Sequence, residues 1–444
     1  MAASCDQNNC IEQMHEIGQV REIGQTNDNG QAQEIGQAHV NKKTVVVGIS
    51  GGVDSAVAAY LLKQQGYNVI GAIMINDRSM DISDAVEVAK GLEIELVTVD
   101  MADDFGRNVI DNFVSEYVRG RTPNPCVRCN RYMKWAALEK VRGERNADYI
   151  ATGHYAKKVR LDNGRYSLRR NETGKDQTYA LCMLTQEQLA HTIMPLSDYS
   201  KEEIRAIAKT AGIVVADKAD SQDICFIPDN DHARFITDYM NDPQCVLASD
   251  SVASGALASG NFVDEDGNVL GRHKGLIHYT IGQRKGLNLS LGRPVFVKAL
   301  RPDTNEVVIS TDGDVFGDHL ICKDMNMIAV DVPEAGKSLI AKIRYADKGT
   351  PCRILSVYYD SSVGQGVSDR TGTEVSGANL SEGQNVGDST ATEVSCGNVG
   401  GCCMNETGLY KCRVEFERPV RAITPGQSIV FYDDDVLYAS GMIE

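Results

Sequence analysis

Residues 44–55 read TVVVGISGGVDS, and this stretch decides the fold. Val45–Ser50 is a short β-rich apolar run, Gly51 and Gly52 follow it, and from Asp54 to Gln65 the apolar residues Val57, Tyr60 and Leu61 fall at helical spacing before a stop at Gly66. The stretch therefore predicts strand, glycine turn and helix. In that setting Gly48, Ile49, Ser50, Gly51, Gly52, Val53, Asp54 and Ser55 form a phosphate cradle. The glycines let the backbone turn tightly, so that N–H groups, serine hydroxyls and the helix N-terminus can face one anion. No Gly-Lys-Ser/Thr ending follows, which separates this loop from the P-loop that handles a terminal phosphate, and a pyrophosphate is the expected ligand.

The alternation continues outward. Strands are predicted at Val69–Met74, Glu95–Asp100 and Tyr149–Thr152, with helices at Ser83–Lys90 and Asp104–Val118, a pattern that implies a doubly wound parallel sheet covered by helices. A helix-rich stretch runs from Lys201 to Met240 and includes Lys201–Gly212. After Asn261 short strands with glycine turns take over, at Phe262–Leu270, Pro294–Leu300 and Val307–Ser310, so the remainder is mostly β. Residues 1–43 are polar and repeat EIGQ three times, which predicts a disordered tail. Between Tyr359 and Leu409 lies a Gly/Ser/Thr/Asn-rich stretch with two related pieces, TEVSG at 373–377 and TEVS at 392–395; it reads as a long surface loop inserted between β-strands at about 360–408. Its Cys396, Cys402 and Cys403 lack the histidines or second regular pair of a metal site, and no metal is expected.

The 444 residues, 42% apolar and 24% charged, suit a globular protein of two or three domains. No apolar run approaches the roughly 20 residues of a membrane span, and MAASCDQNNC lacks a signal pattern, so the expected address is cytoplasmic with no membrane partner. Thirteen cysteines in such a chain read as mostly reduced thiols, with any special pair catalytic or metal-binding. The net charge of −16 excludes a uniformly basic nucleic-acid binder, but residues 1–43 carry −3 of it and 360–410 carry −6. Local basic groups remain for a nucleic acid: Arg119, Arg121, Arg128, Arg131 and Lys134 in one region, Arg272, His273, Lys274, Arg284 and Lys285 in another.

The cysteines narrow the chemistry. GRTPNPCVRCN, residues 120–130, sets Cys126 and Cys129 after a proline-spaced loop, just before a helix carrying Lys134 and Trp135. A helix N-terminus with Arg121, Arg128 and Arg131 nearby would lower a thiol pKa. Much later, DSQDICFI at 220–227 supplies Cys225 between polar residues and an apolar run. Each of these cysteines alone could equally be a buried structural one.

From about Lys43 onward the chain resembles the tRNA-specific 2-thiouridylases, with the stretch near 360–408 as the main interruption. The resemblance rests on Gly48–Ser55, Thr122–Asn130, Ala151–Tyr155 (ATGHY), Lys175–Gln177, Ile224–Ile227, Tyr279–Leu287 (YTIGQRKGL), Arg344-Tyr345 and Thr424–Gln427, in the family's order. The SGGxDS loop is similar to that of ATP pyrophosphatases, which adenylate a substrate and release pyrophosphate; argininosuccinate, NAD and GMP synthetases share it without needing paired cysteines. The resemblance implies an ATP pyrophosphatase domain at 44–232, a small central domain at 233–300 and a β-barrel at 301–444. It implies that Gly48–Ser55, Met74 and Gly153 hold ATP with Mg2+, that Asn124, Pro125 and Cys126 contact the target base, and that His154, Lys175, Asp176, Gln177, Arg344, Tyr345 and Gln427 meet tRNA. By the same resemblance Cys129 is the nucleophile and Cys225 carries a persulfide delivered by a sulfur carrier protein or cysteine desulfurase. The wobble uridine would leave its stack to react, and the tRNAs would be those for lysine, glutamate and glutamine.

Two departures stand out. Many members have an aspartate where this chain has Cys126, so Cys126, Cys129 and Cys225 would converge, and three thiolates also suit an iron–sulfur cluster. The segment Ile75–Asp81 (INDRSMD) is shorter than the family's acidic stretch. A catalytically inactive RNA-binding regulator would be expected to lack Asp54, Cys129 or Cys225, and all three are present.

Overall fold

The computed structural model describes residues 42–219, 224–242, 245, 247, 255–359 and 410–444. Nearly all of the expected tail, the whole of the expected inserted loop and its three cysteines lie outside them. Three valines, Val45, Val46 and Val47, build the middle of β1 (Thr44–Gly48), and all three are fully buried. A strand apolar on both faces belongs in a parallel sheet covered on both sides. Around it, α1 (Val53–Gln64) leads to β2 (Asn68–Ile75), and α2 (Ser83–Gly91) leads to β3 (Glu95–Asp100). After β4 (Tyr149–Ala151) comes a hairpin, β5 (Lys157–Arg160) and β6 (Tyr166–Arg169), and then β7 (Thr192–Ile193). The sheet order is β3-β2-β1-β4-β7, and every pairing is parallel.

Val46 packs with Trp135, Leu138 and Val141 on one side of the sheet. Val45 and Val47 pack with Val57, Leu61, Leu62, Ile204 and Ala208 on the other. Because β2 and β4 flank β1 and are reached by crossovers in opposite directions, the crevice beyond the ends of β1 and β4 is the topological switch point at which such sheets bind ligands.

The helix expected over 104–118 is interrupted. It runs as α3 (Ala102–Phe105), a π turn (Gly106–Ile110) and α4 (Asp111–Val118). A second π turn (Asn130–Lys134) separates α5 (Pro125–Cys129) from α6 (Trp135–Glu144). After α7 (Gln186–His191), the helix-rich stretch resolves into α8 (Lys201–Thr210) and α9 (His232–Met240), with Cys225 on the connection between them. Ser200 caps α8 in a reciprocal box with Glu203, and Asp231 caps α9.

The strand expected over Phe262–Leu270 is instead a hairpin, β8 (Asn261–Val263) and β9 (Val269–Arg272). Asp264 Oδ1 accepts from the backbone N–H groups of Asp266 and Asn268, and Gly267 takes φ 87°, so the acidic run folds a turn instead of extending a strand. With β10 (Phe296–Arg301) and β11 (Glu306–Ser310) they form a four-stranded sheet in the order β10-β11-β8-β9.

The last sheet comprises β12 (Phe316–Asn326), β13 (Ser338–Lys342), β14 (Thr350–Tyr359), β15 (Tyr410–Arg421), β16 (Ser428–Asp433) and β17 (Val436–Ile443). Its order is β12-β15-β14-β13-β16-β17, and β12 also pairs with β17, which closes a six-stranded barrel. Beyond β17 the sheet continues into β6 and β5. The expected class, a doubly wound α/β domain followed by a small domain and a β-barrel, is what the chain adopts.

Candidate active site

The loop between β1 and α1 stands at the switch point. Gly51 adopts φ 73°, and a Cβ there would lie 2.8 Å from the Asp84 Cβ, so both conformation and space require glycine. Ser50 N–H donates to Ser55 Oγ at 3.2 Å, and Ser55 Oγ donates to Gly52 O at 2.9 Å, which fixes the loop's curvature. Lys218 Nζ donates to Gly51 O at 3.3 Å and pairs with Asp84. No side chain caps α1, whose N-cap is Gly52, so its first N–H groups face outward as an anion site would require.

Gly153, just past β4, closes against the loop; a Cβ on it would meet the Asp54 carbonyl carbon and the Ser55 nitrogen at 2.7 Å. Asp54 is held from three sides. Tyr155 Oη donates to its Oδ1 at 2.7 Å, Lys201 Nζ to the same oxygen at 2.6 Å, and Lys175 Nζ lies 3.4 Å from Oδ2. The loop thus gathers two lysines at its rim, and Lys201 is a member that sequence reasoning missed; its only signal is its place one residue after an N-cap serine. Met74, near the end of β2, and Cys129 both pack against the small cluster of Phe105, Val109 and Met133, which sets β2 against the cysteine helix.

Asn124 caps α5 by accepting from Val127 N–H at 3.2 Å, and Pro125 occupies the first turn, where its missing N–H costs nothing. Cys126 and Cys129 follow on this helix. Cys225 reaches the same place from the other segment. Its neighbour Phe226 is wedged among Phe105, Phe113 and Phe235 with ring centroids 5.6, 5.4 and 5.3 Å away, and Asn76 Nδ2 donates to Cys225 Sγ at 3.9 Å. The three thiols are close enough to influence one another electrostatically: Cys129 feels both Cys225 and Cys126, and Cys225 feels Cys126.

The arginines expected to acidify these thiols do not do so. Arg121 pairs with Glu116 at 2.7 Å and donates to Ile443 O; Arg128 donates to Asn108 O; Arg131 donates to Met183 O at 3.2 Å. Desolvation dominates instead. Burial pushes the Cys129 thiol up to about 11 and raises Cys126 and Cys225 as well, although the last two keep solvent access, and Lys134 is the cation that opposes the rise at all three. Among the described residues no three His, Cys, Asp or Glu side chains are gathered to hold a metal ion. As placed, the three cysteines do not fit a cluster.

The residues expected to meet tRNA fall into two sets. Tyr345 is 49% exposed beside Tyr179, with ring centroids 6.1 Å apart. Lys175 sits on Asp54, as above. The others serve the framework. Asp176 accepts from Thr178 N–H at 3.1 Å, Gln177 Oε1 accepts from Tyr155 N–H at 2.9 Å, and Arg344 donates to Ala422 O at 2.7 Å. His154 bonds Thr152 through Nδ1 at 2.8 Å and lies 5.7 Å, centroid to centroid, from Trp135. Gln427 Nε2 donates to Thr122 O at 2.9 Å and Pro123 O at 3.3 Å, bracing the cysteine loop from the barrel. In the second basic region His273 is only 2% exposed and bonds Asn305 O, so it faces the interior.

Three family models match the chain: tRNA methyl transferase HUP domain over residues 43–229, tRNA methyl transferase PRC-barrel domain over 254–311 and aminomethyltransferase beta-barrel domain over 402–443. The tRNA-specific 2-thiouridylase MnmA of Lachnoclostridium phytofermentans is 45% identical over 417 residues, 90% of this chain and 99% of the relative. The chain belongs to the tRNA-specific 2-thiouridylase family. A second 2-thiouridylase, from Clostridium perfringens, is 44% identical over 91% of this chain and 99% of its own length. Among solved structures, NMN synthetase from Francisella tularensis is similar over 40% of this chain and 66% of that chain, at 21% identity and a TM-score of 0.27. The 2-thiouridylase architecture of nucleotide-binding domain, small central domain and barrel is the one described above. No helix among the described residues is long and apolar enough to cross a membrane.

Proposed function

We propose that this chain performs 2-thiouridylation of the tRNA wobble uridine through a persulfide on Cys225, with Cys129 as the resolving thiolate. The observation that carries this reading is the convergence of Cys126 and Cys129 with Cys225, from segments about a hundred residues apart, beside a phosphate loop. Uridine O2 is a poor leaving group. Attack of O2 on the α-phosphate of Mg-ATP makes it one, forming an O–P bond and expelling pyrophosphate, which the loop from Gly48 to Ser55 and the rim lysines Lys175 and Lys201 are built to hold.

The terminal sulfur of the Cys225 persulfide then attacks C2, and AMP departs. Cys129 thiolate next attacks Cys225 Sγ; the Cys129–Cys225 disulfide forms, the bond to the transferred sulfur breaks, and the electron pair leaves with that sulfur as the 2-thiocarbonyl. The two cysteines end oxidised, the sulfane sulfur reduced, and an external thiol restores the enzyme. In this reading Cys126, Asn124 and Pro125 border the base, Tyr345 offers it an exposed aromatic face, and His154 and Gln427 hold the walls. Persulfide arrives from a cysteine desulfurase or sulfur carrier protein in the cytoplasm, and the substrates are the tRNAs for lysine, glutamate and glutamine.

The test is mass analysis of wobble nucleosides after incubating tRNA with the purified full chain, Mg-ATP and a persulfide donor. The wild type should form 2-thiouridine, and Cys129→Ser and Cys225→Ser should each form none. A wild type that binds ATP and tRNA but yields no thiolated nucleoside would remove the catalytic reading and leave a regulator.

A further inference from the structure

The segment after Cys129 is wound differently from an ordinary helix, and the difference places one side chain. In a continuous α-helix the residue five positions on points about 140° away around the axis. A π turn spans i to i+5 and absorbs an extra residue, which brings that position back toward the first. Here the π turn Asn130–Lys134 begins immediately after Cys129, so Lys134 is the returning residue. Its far side is anchored: buried Asn130 donates to Ala180 O at 2.9 Å and Arg131 to Met183 O at 3.2 Å. The Lys134 ammonium lies close enough to Cys126, Cys129, Cys225 and His154 to act on each of them electrostatically. Lys134 is half-buried, and among the described residues no carboxylate pairs with it. A half-buried cation without a counter-ion marks a place where negative charge comes and goes.

We propose that Lys134 is the counter-cation of the thiol cluster, set by the π turn to hold Cys129 within reach of its thiolate form. The inference deepens the thiouridylation reading, because the step it serves is the displacement at Cys225. There Cys129 loses its proton to solvent before attack, and the negative charge passes from the Cys129 sulfur to the transferred sulfur beside the Lys134 side chain. The other groups facing the cluster are Asn76, which is neutral, Tyr345 on the side of Cys126, and His154, which itself faces Lys175. None of them supplies a cation to Cys129. Arg128, though adjacent in sequence, is turned to Asn108 O and to the Tyr132 ring at 5.0 Å.

Site-resolved alkylation of the full chain by iodoacetamide, a neutral reagent, tests this without ATP or tRNA. Below its pKa a thiol's rate is proportional to its thiolate fraction, so a one-unit shift reads as a tenfold change. Lys134→Met should slow Cys129 about tenfold at every pH from 7 to 9, while Lys134→Arg stays within about twofold of wild type. Buried Cys182 should remain unmodified in all of them, as a monitor of intact fold. If Lys134→Met unfolds, Lys134→Gln makes the same comparison. Unchanged Cys129 alkylation in the neutral variant overturns the proposal, and so does equal slowing in Lys134→Arg, which would mean lost packing instead of lost charge. If the Lys134 variants show the expected pattern while the wild type never thiolates tRNA, the functional reading alone fails.

Discussion

At the level of single residues, the thiol proposed as the nucleophile is held largely protonated. With Cys129 raised to about 11, its alkylation in wild type should climb close to tenfold per pH unit between 7 and 10, without levelling, which a pH series of pseudo-first-order rates would show. A plateau near pH 8 would contradict the desolvated site. Burial, with Lys134 and Lys175 nearby, holds the His154 imidazole well below 6.5. The sign follows: above 6.5 neither folded nor unfolded chain protonates it, and as pH falls below 6.5 the unfolded chain takes up the proton first, so stability is lost on the acid side. Replacing His154 with Gln should therefore flatten the fall of Tm between pH 7 and 5 by thermal denaturation. Asp54→Asn removes the negative charge shared by Lys175 and Lys201 and leaves one acceptor oxygen where there were two; pyrophosphate release with tRNA and Mg-ATP should fall at least about a hundredfold, a loss of the size expected when charge stabilisation of a transition state is disturbed.

Elements explain what could and could not be read from the chain. The strand, turn and helix of residues 44–64 were legible because a run of buried valines, two glycines and helical spacing each have one structural meaning. The π turns were not, because inserting one residue in a helix leaves its apolar period nearly unchanged; yet they decide where Lys134 and Arg128 point. That is also why the arginines around Cys129 were expected at the thiols. Proximity in sequence was visible, and the carbonyls of Asn108 and Met183 that engage Arg128 and Arg131 were not. Gly153→Ala tests the closeness of two elements that the sequence shows only as a motif. Its Cβ would press on backbone at 2.7 Å, so ATP affinity by calorimetry should weaken tenfold or more while the melting temperature moves by only a few degrees. Phe226→Ala loosens the aromatic wedge under Cys225 and should slow oxidant-driven formation of the Cys129–Cys225 disulfide several-fold, measured by non-reducing peptide mapping.

For the whole molecule, the barrel grips the nucleotide-binding domain at the loop that leads into Cys126 and Cys129. Thr122 N–H donates to Pro425 O at 2.9 Å, Gln427 holds two carbonyls of the same loop, and Arg121 reaches Ile443 O. Gln427→Ala should lower the thiolation rate several-fold with ATP binding unchanged, as single-turnover assays against calorimetry would reveal. The barrel itself was legible as a β-rich half, but its closure was not: β12 must pair with both β15 and β17, and only three-dimensional register specifies that. Least visible was the fate of β5 and β6, which lie in sequence within the nucleotide-binding half and in space on the barrel's sheet.

That hairpin gives the protein a schedule. Ser167 donates to the carbonyl of Leu437, a partner that leaves the ribosome 270 residues later. Until then β6 is an uncovered sheet edge on a nascent chain, and exposed edges recruit other strands. The hairpin's charged residues, Lys157, Lys158 and Arg160 on β5 and Arg169 on β6, are the kind that discourage such pairing during the wait, so the hairpin is equipped for a long interval in which the first domain is finished and the molecule is not.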